Sequence, residues 1–210
     1  MADLNSTLTS IILLLGNAAL MVVLAFILVN FSFSKSIAAR KGLVAKLVFG
    51  IALGVLAIYG TLMGTKLPDG TIVNVRELAA MIAGVAGGPV AGTLAGVIGG
   101  VHRFTVGGAT ALPCTISTIV IGVISGFVSW KLVGKMYLLK GAALGFVLES
   151  FAMGLILVLV QPFDVAVSIV SQIAIPMIAA NTIGLILWMY FFGKWNKHLR
   201  SRKANNLCCL

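Results

Sequence analysis

Residues 74–103 read NVRELAAMIAGVAGGPVAGTLAGVIGGVHR, and whether this stretch makes one helix or two decides the fold. Glycine recurs at positions 84, 88, 92, 96 and 100, a period of four that keeps bare backbone near one helix face, where a neighbouring helix can approach closely. Gly87, Gly88 and Pro89 interrupt that ladder. Proline disfavours helix at the residue before it and is comfortable as a first helical residue. A single kinked helix from Arg76 to Arg103 therefore competes with a hairpin turning at Gly87-Gly88-Pro89.

The rest of the chain supplies the criterion. Its 210 residues are 60% hydrophobic and 10% charged, with a mean hydropathy of +1.13. A water-soluble domain carries nearer a quarter charged residues, so this chain belongs in a bilayer. Apolar runs predict spans over about residues 9–33, 44–64, 113–131, 141–160 and 165–193, most reaching the roughly 20 residues that cross about 30 Å of hydrocarbon. A polar turn at residues 65–70 carries Pro68-Asp69-Gly70 as its turn chemistry. The first apolar run is too long for a secretory signal and follows Asp3 rather than a basic segment, so it reads as a retained helix.

The formal charge of +10 is distributed as brackets around these runs. Lys35, Arg40, Lys41 and Lys46 form one cluster, Lys131, Lys135 and Lys140 a second, and Lys194, Lys197, Arg200, Arg202 and Lys203 a third. That is the pattern of cytoplasmic loops facing anionic headgroups, not of a nucleic-acid surface. If residues 76–103 fold back, all twelve of these positives lie on one side, against Lys66, Arg76 and Arg103 on the other. A single crossing separates them at best ten against five. The hairpin is favoured, with the N-terminus outside and the C-terminus in the cytoplasm. The expected fold is an all-α polytopic membrane bundle of six to seven helices that includes the glycine-rich hairpin. Residues 1–34 are a first transmembrane helix, 35–195 a multi-helix receptor domain, and 196–210 a basic cytoplasmic tail.

A hairpin brings Arg76 and Arg103, 13 residues before and 14 after Pro89, to a common level. On a straight helix they would stand about 40 Å apart, at about 1.5 Å per residue. Arginine within an apolar zone costs about 2.5–3.5 kcal/mol at mid-helix, so two of them ask for a reason. Glu77 is the one acid beside them in sequence, and adjacent helical residues do not face each other. Downstream, Thr110 or a neighbour caps the next helix, with Pro113 in its first turn. Cys114 and Ser117 fall three apart on one face of that helix. Unpaired N–H groups at a helix start favour an anion, and guanidinium forks match a carboxylate at two points. Arg76, Arg103, Cys114 and Ser117 thus describe a site for a small carboxylate with a second polar group.

Asn74-Val75-Arg76, the Gly87-Gly88-Pro89 hairpin and His102-Arg103, set among several spans, resemble the five-transmembrane LYT receptor module of LytS-type sensor histidine kinases over about residues 30–195. The resemblance implies pyruvate or a close analogue as ligand, held by Arg76, Arg103, Cys114 and Ser117, and signal output to a cytoplasmic kinase in a two-component system. The chain carries no kinase region before Leu210, so that output is expected in a C-terminal region or a partner, and this chain is not itself expected to be an enzyme. A homodimer is the expected assembly, in the plasma membrane, with no cofactor, metal or nucleic acid.

Other readings stand beside these. The glycine ladder can be plain helix packing, the arginines can reach out to headgroups, and Cys114 can be a small buried apolar residue. Asn74 caps the helix or positions Arg76, and His102 orients Arg103, lines the pocket or sits at the lipid interface. Glu149 is the one acid well inside a span. Gln172, Pro176 and Asn181 form a polar stripe that could face it, and an inter-helix contact is favoured over proton transport. Cys208 and Cys209 are free thiols or acylation sites. A small-solute transporter subunit working with separate ATPase subunits is the alternative function, and a ligand-free scaffold a third.

Overall fold

In the computed structural model, which describes residues 2–31, 42–66, 71–132, 134 and 136–207, the chain turns back at Gly88. Seven α-helices are present among the described residues: α1 (Ala2–Phe31), α2 (Leu43–Leu62), α3 (Arg76–Gly87), α4 (Pro89–Val106), α5 (Ala111–Val128), α6 (Tyr137–Leu159) and α7 (Phe163–Leu207). The hairpin is α3 and α4. Gly88 sits at φ 80°, a left-handed conformation that resists any side chain, and its N–H closes α3 on the Gly84 carbonyl at 2.9 Å. Pro89 then opens α4, where its missing N–H costs nothing.

The spans α2, α5, α6 and α7 are each long and apolar enough to cross a membrane, and α1 contributes the apolar segment Ile12–Leu28. Their outer faces carry large apolar side chains in the open, among them Val44, Val147 and Ile175, each more than half exposed. Such a surface is stable against lipid and not against water. The chain is a multi-pass membrane protein with an all-α bundle fold.

The hairpin reaches deep into this bundle. At 12 residues α3 is about 18 Å long, at about 1.5 Å per residue, too short to cross alone. Ten of its residues are buried, including Arg76 and Glu77, so it lies inside protein rather than lipid. Its tip packs near the far end of α5, where a methyl group on Gly126 would meet the Pro89 backbone. The glycine ladder is what lets this happen. A methyl on Gly92 would run into the Gly122 carbonyl of α5, so the two helices touch backbone to backbone.

At the end where α2 stops, the segment expected to be a plain polar turn forms a short antiparallel ribbon. Strand β1 (Thr65–Lys66) pairs with β2 (Ile72–Val73), Thr65 opposite Val73 and Lys66 opposite Ile72. Pro68-Asp69-Gly70, the basic residues Lys35, Arg40, Lys41 and Lys135, and Cys208 with Cys209 lie outside the described residues. The ribbon hands the chain into α3 through Val75, whose φ of −110° and ψ of 23° are not helical.

Candidate functional site

Arg76 is the first helical residue of α3, and three interactions fix its guanidinium. Its Nε donates to Thr118 Oγ1 at 2.7 Å, while Nη2 reaches Glu77 Oε1 at 3.3 Å and the Cys114 carbonyl at 3.4 Å. The ion pair with Glu77 corrects the expectation that sequence neighbours on a helix cannot meet. In the first turn the long arginine side chain can curl over α5, and Glu77 converges there because Ser117 Oγ donates to its Oε1 at 2.6 Å. Of the two jobs expected of it, Asn74 positions Arg76 and does not cap the helix, whose N-cap residue is Val75 with no side-chain cap. Asn74 Oδ1 accepts from the Arg76 backbone N–H at 3.1 Å, and its Nδ2 donates to the Ile72 carbonyl at 3.3 Å, tying the ribbon to the helix start.

Arg103 lies in the last turn of α4 and is fully buried. Its Nη1 donates to the Gly107 carbonyl and its Nη2 to Thr110 Oγ1 at 2.9 Å. Thr110 is indeed the residue before α5, but its hydroxyl holds the arginine instead of capping the helix. The Cys114 side chain lies against the Arg103 guanidinium, and Arg76 and Glu77 stand close enough to act on it electrostatically. Arg76 is the deeper of the two, for its stem packs on Gly99, one turn before Arg103.

The structure therefore brings Arg76, Arg103, Cys114 and Ser117 together, all buried, between α3, α4 and α5. Two buried donors in this group lack a partner, Arg76 Nη1 and Arg103 Nε. His102 is half-buried with an unpartnered Nδ1, and its carbonyl accepts from Thr105 Oγ1 at 2.7 Å. Glu149 on α6 is fully buried and meets Glu77 and Asn181, though no hydrogen bond of complete geometry joins it to either. Gln172, expected on the same stripe, is exposed and donates to Ser168 on its own helix. Nine residues at about 100° each place positions 172 and 181 on opposite faces, which is why the stripe does not exist. Thr118, the acceptor for Arg76 Nε, is a site residue that sequence reasoning misses. Its position four after Cys114 on the same face is the available signal.

A deep, broken-helix hairpin that buries two arginines inside a polytopic bundle is the architecture of a membrane module that keeps its charged groups inside protein and away from lipid. The chain belongs to the 5TMR of 5TMR-LYT family, whose model matches residues 30–194. Relatives include the sensor histidine kinase BtsS of Escherichia coli (strain K12), 37% identical over 145 residues, 66% of this chain and 26% of that protein. The sensor protein LytS of Bacillus subtilis (strain 168) is 31% identical over 198 residues, 85% of this chain and 33% of that protein. The sensor histidine kinase YpdA of Escherichia coli (strain K12) is 30% identical over 175 residues, 81% of this chain and 31% of that protein. The chain thus spans about a quarter to a third of these relatives' length. No solved structure matches it.

Proposed function

We propose that this chain is the membrane receptor module of a two-component sensor and that it binds a small monocarboxylate, pyruvate or a close analogue, entering from the outer side. The observation that carries the reading is the pair of unpartnered buried donors, Arg76 Nη1 and Arg103 Nε. A buried charged donor without an acceptor is costly, and a carboxylate between the two guanidinium groups satisfies both. Cys114 and Ser117 stand on α5 beside them and would contact the neighbouring carbonyl of a 2-oxo acid. The names of the relatives, sensor histidine kinase and sensor protein, support a sensory output through a cytoplasmic kinase and its response regulator.

The size of such a ligand limits its affinity. About six heavy atoms at a ceiling near 1.5 kcal/mol each give at most about 9 kcal/mol, so micromolar binding is the realistic range. Equilibrium binding of labelled pyruvate to the protein in lipid nanodiscs tests the site. Arg76→Ala and Arg103→Ala are each expected to weaken it at least about tenfold, the worth of a charge-assisted hydrogen bond of about 1.5–3 kcal/mol. Unchanged binding in both variants would remove the site. Accumulation of pyruvate inside sealed vesicles would favour a transporter subunit instead.

A further inference from the structure

Behind the arginines lies a second polar cluster that ligand contact does not explain. Glu77, Glu149 and Asn181 are 1%, 0% and 0% exposed. Oε2 of Glu77, both carboxyl oxygens of Glu149 and both amide atoms of Asn181 have no complete hydrogen bond, yet the three side chains lie together. The packing explains how they meet. Gly141, Gly145 and Glu149 repeat every four residues along α6, and methyl groups on the two glycines would meet Met189 and Thr182 of α7. The same face therefore carries Glu149 onto Asn181. On the other side of α7, a methyl on Gly184 would meet Leu78, the residue after Glu77.

Charge makes this arrangement informative. The titratable groups that act on Glu149 are Glu77 and Arg76, both of α3, while α7 presents the neutral Asn181. Arg76 directs its hydrogen bonds to Glu77, Thr118 and the Cys114 carbonyl, and Arg103 of α4 directs its own to Gly107 and Thr110, with the Cys114 thiol of α5 beside it. Among the described residues Glu149 thus has no cation of its own. Two ionised carboxylates in contact and away from water repel each other strongly, and such pairs retain one proton. Two carboxylates would also cancel the two guanidinium groups and leave no positive charge for an anion. One retained proton restores a single unmatched positive charge, matching a monoanion.

We propose that Glu77 and Glu149 hold one proton between them, and that Glu149 is a positioning residue whose O–H donates to Glu77 while its second oxygen accepts from Asn181. The chain of contacts Arg76, Glu77, Glu149, Asn181 then ties the anion site to α7, the helix that continues to Leu207. The proposal rests on the receptor reading for its ligand, but the proton is present in the empty protein and can be tested there. The chain has only five acidic residues, which makes infrared assignment tractable. Unliganded protein in nanodiscs should show the carbonyl band of a buried protonated carboxyl group, and Glu149→Gln should abolish it. A missing band, or one that persists in Glu149→Gln, overturns the shared proton whatever happens to pyruvate.

Binding then separates positioning from mere bulk. In Glu149→Gln the new side-chain amide can donate where the acid did, so this variant should bind pyruvate within about twofold of the native chain. Glu149→Leu leaves Glu77 without its donor and should weaken binding about tenfold. Equal binding by both variants, with the Glu149→Leu protein folded, would overturn the positioning role. If the native chain binds no pyruvate, the receptor reading fails and the infrared result still decides the proton.

Discussion

Arg76 illustrates how one side chain can be legible in type and illegible in contact. A positive charge in an apolar chain at the head of a glycine-rich stretch marks it as a candidate site residue from the sequence. That its Nε ends on Thr118 is not visible there, because a contact across 42 positions depends on how α3 seats against α5. The same holds for Glu77, excluded as a partner by helical spacing yet brought round at the first turn by Ser117. These contacts make a prediction at this scale. Thr118→Val keeps the shape but leaves Arg76 Nε buried without an acceptor, at a cost of about 1–3 kcal/mol. Its thermal unfolding midpoint in detergent should fall, and Thr118→Ser, which keeps the hydroxyl, should stay near the native value. Equal midpoints for the two variants would mean that Nε finds another partner.

Among the elements, the hairpin is the most legible feature because two independent signals agree. Gly87-Gly88-Pro89 names the turn, and the balance of lysines and arginines favours a chain that returns. Its depth is not legible, since apolar length says how far a helix can reach and not what it packs against. That depth comes from the glycine contacts, where α4 meets the α5 backbone at Gly92 and Gly122. The glycines are therefore unequal, although the sequence presents them alike. Gly92→Ala puts a methyl against a carbonyl held in a helix and should destabilise by about 1–3 kcal/mol, as overpacking does. Gly154→Ala on α6 meets nothing within 4 Å and should be neutral or slightly stabilising, as alanine is the better helix former. Thermal unfolding of the two variants side by side checks the contrast. No loss of stability in Gly92→Ala would show that the α4–α5 contact is looser than described, and a loss in Gly154→Ala would show that this face of α6 is not open.

For the whole molecule, charge and geometry can be set against each other. Arg76 and Arg103 lie at the end of the bundle where α2 stops and α5 starts, and Lys131 and Lys140 lie at the other, where α5 stops and α6 starts. Asn17 of α1 donates to the Met63 carbonyl at 3.0 Å, which fixes that part of α1 at the arginine end. The bundle therefore has one end with buried cations and one with surface lysines, consistent with the two roles that the sequence assigns to its positive charges. Which end faces outward is a property of the membrane, and only the excess of lysine and arginine speaks to it. Met63 and Trp130 are 47% and 70% exposed at opposite ends, so each tolerates a reporter. In a chain whose own three cysteines are replaced, Met63→Cys should react with an impermeant maleimide on intact cells. Trp130→Cys should react only after the membrane is opened. The reverse pattern would turn the receptor over, place both arginines on the cytoplasmic side and make the sensed carboxylate an internal one.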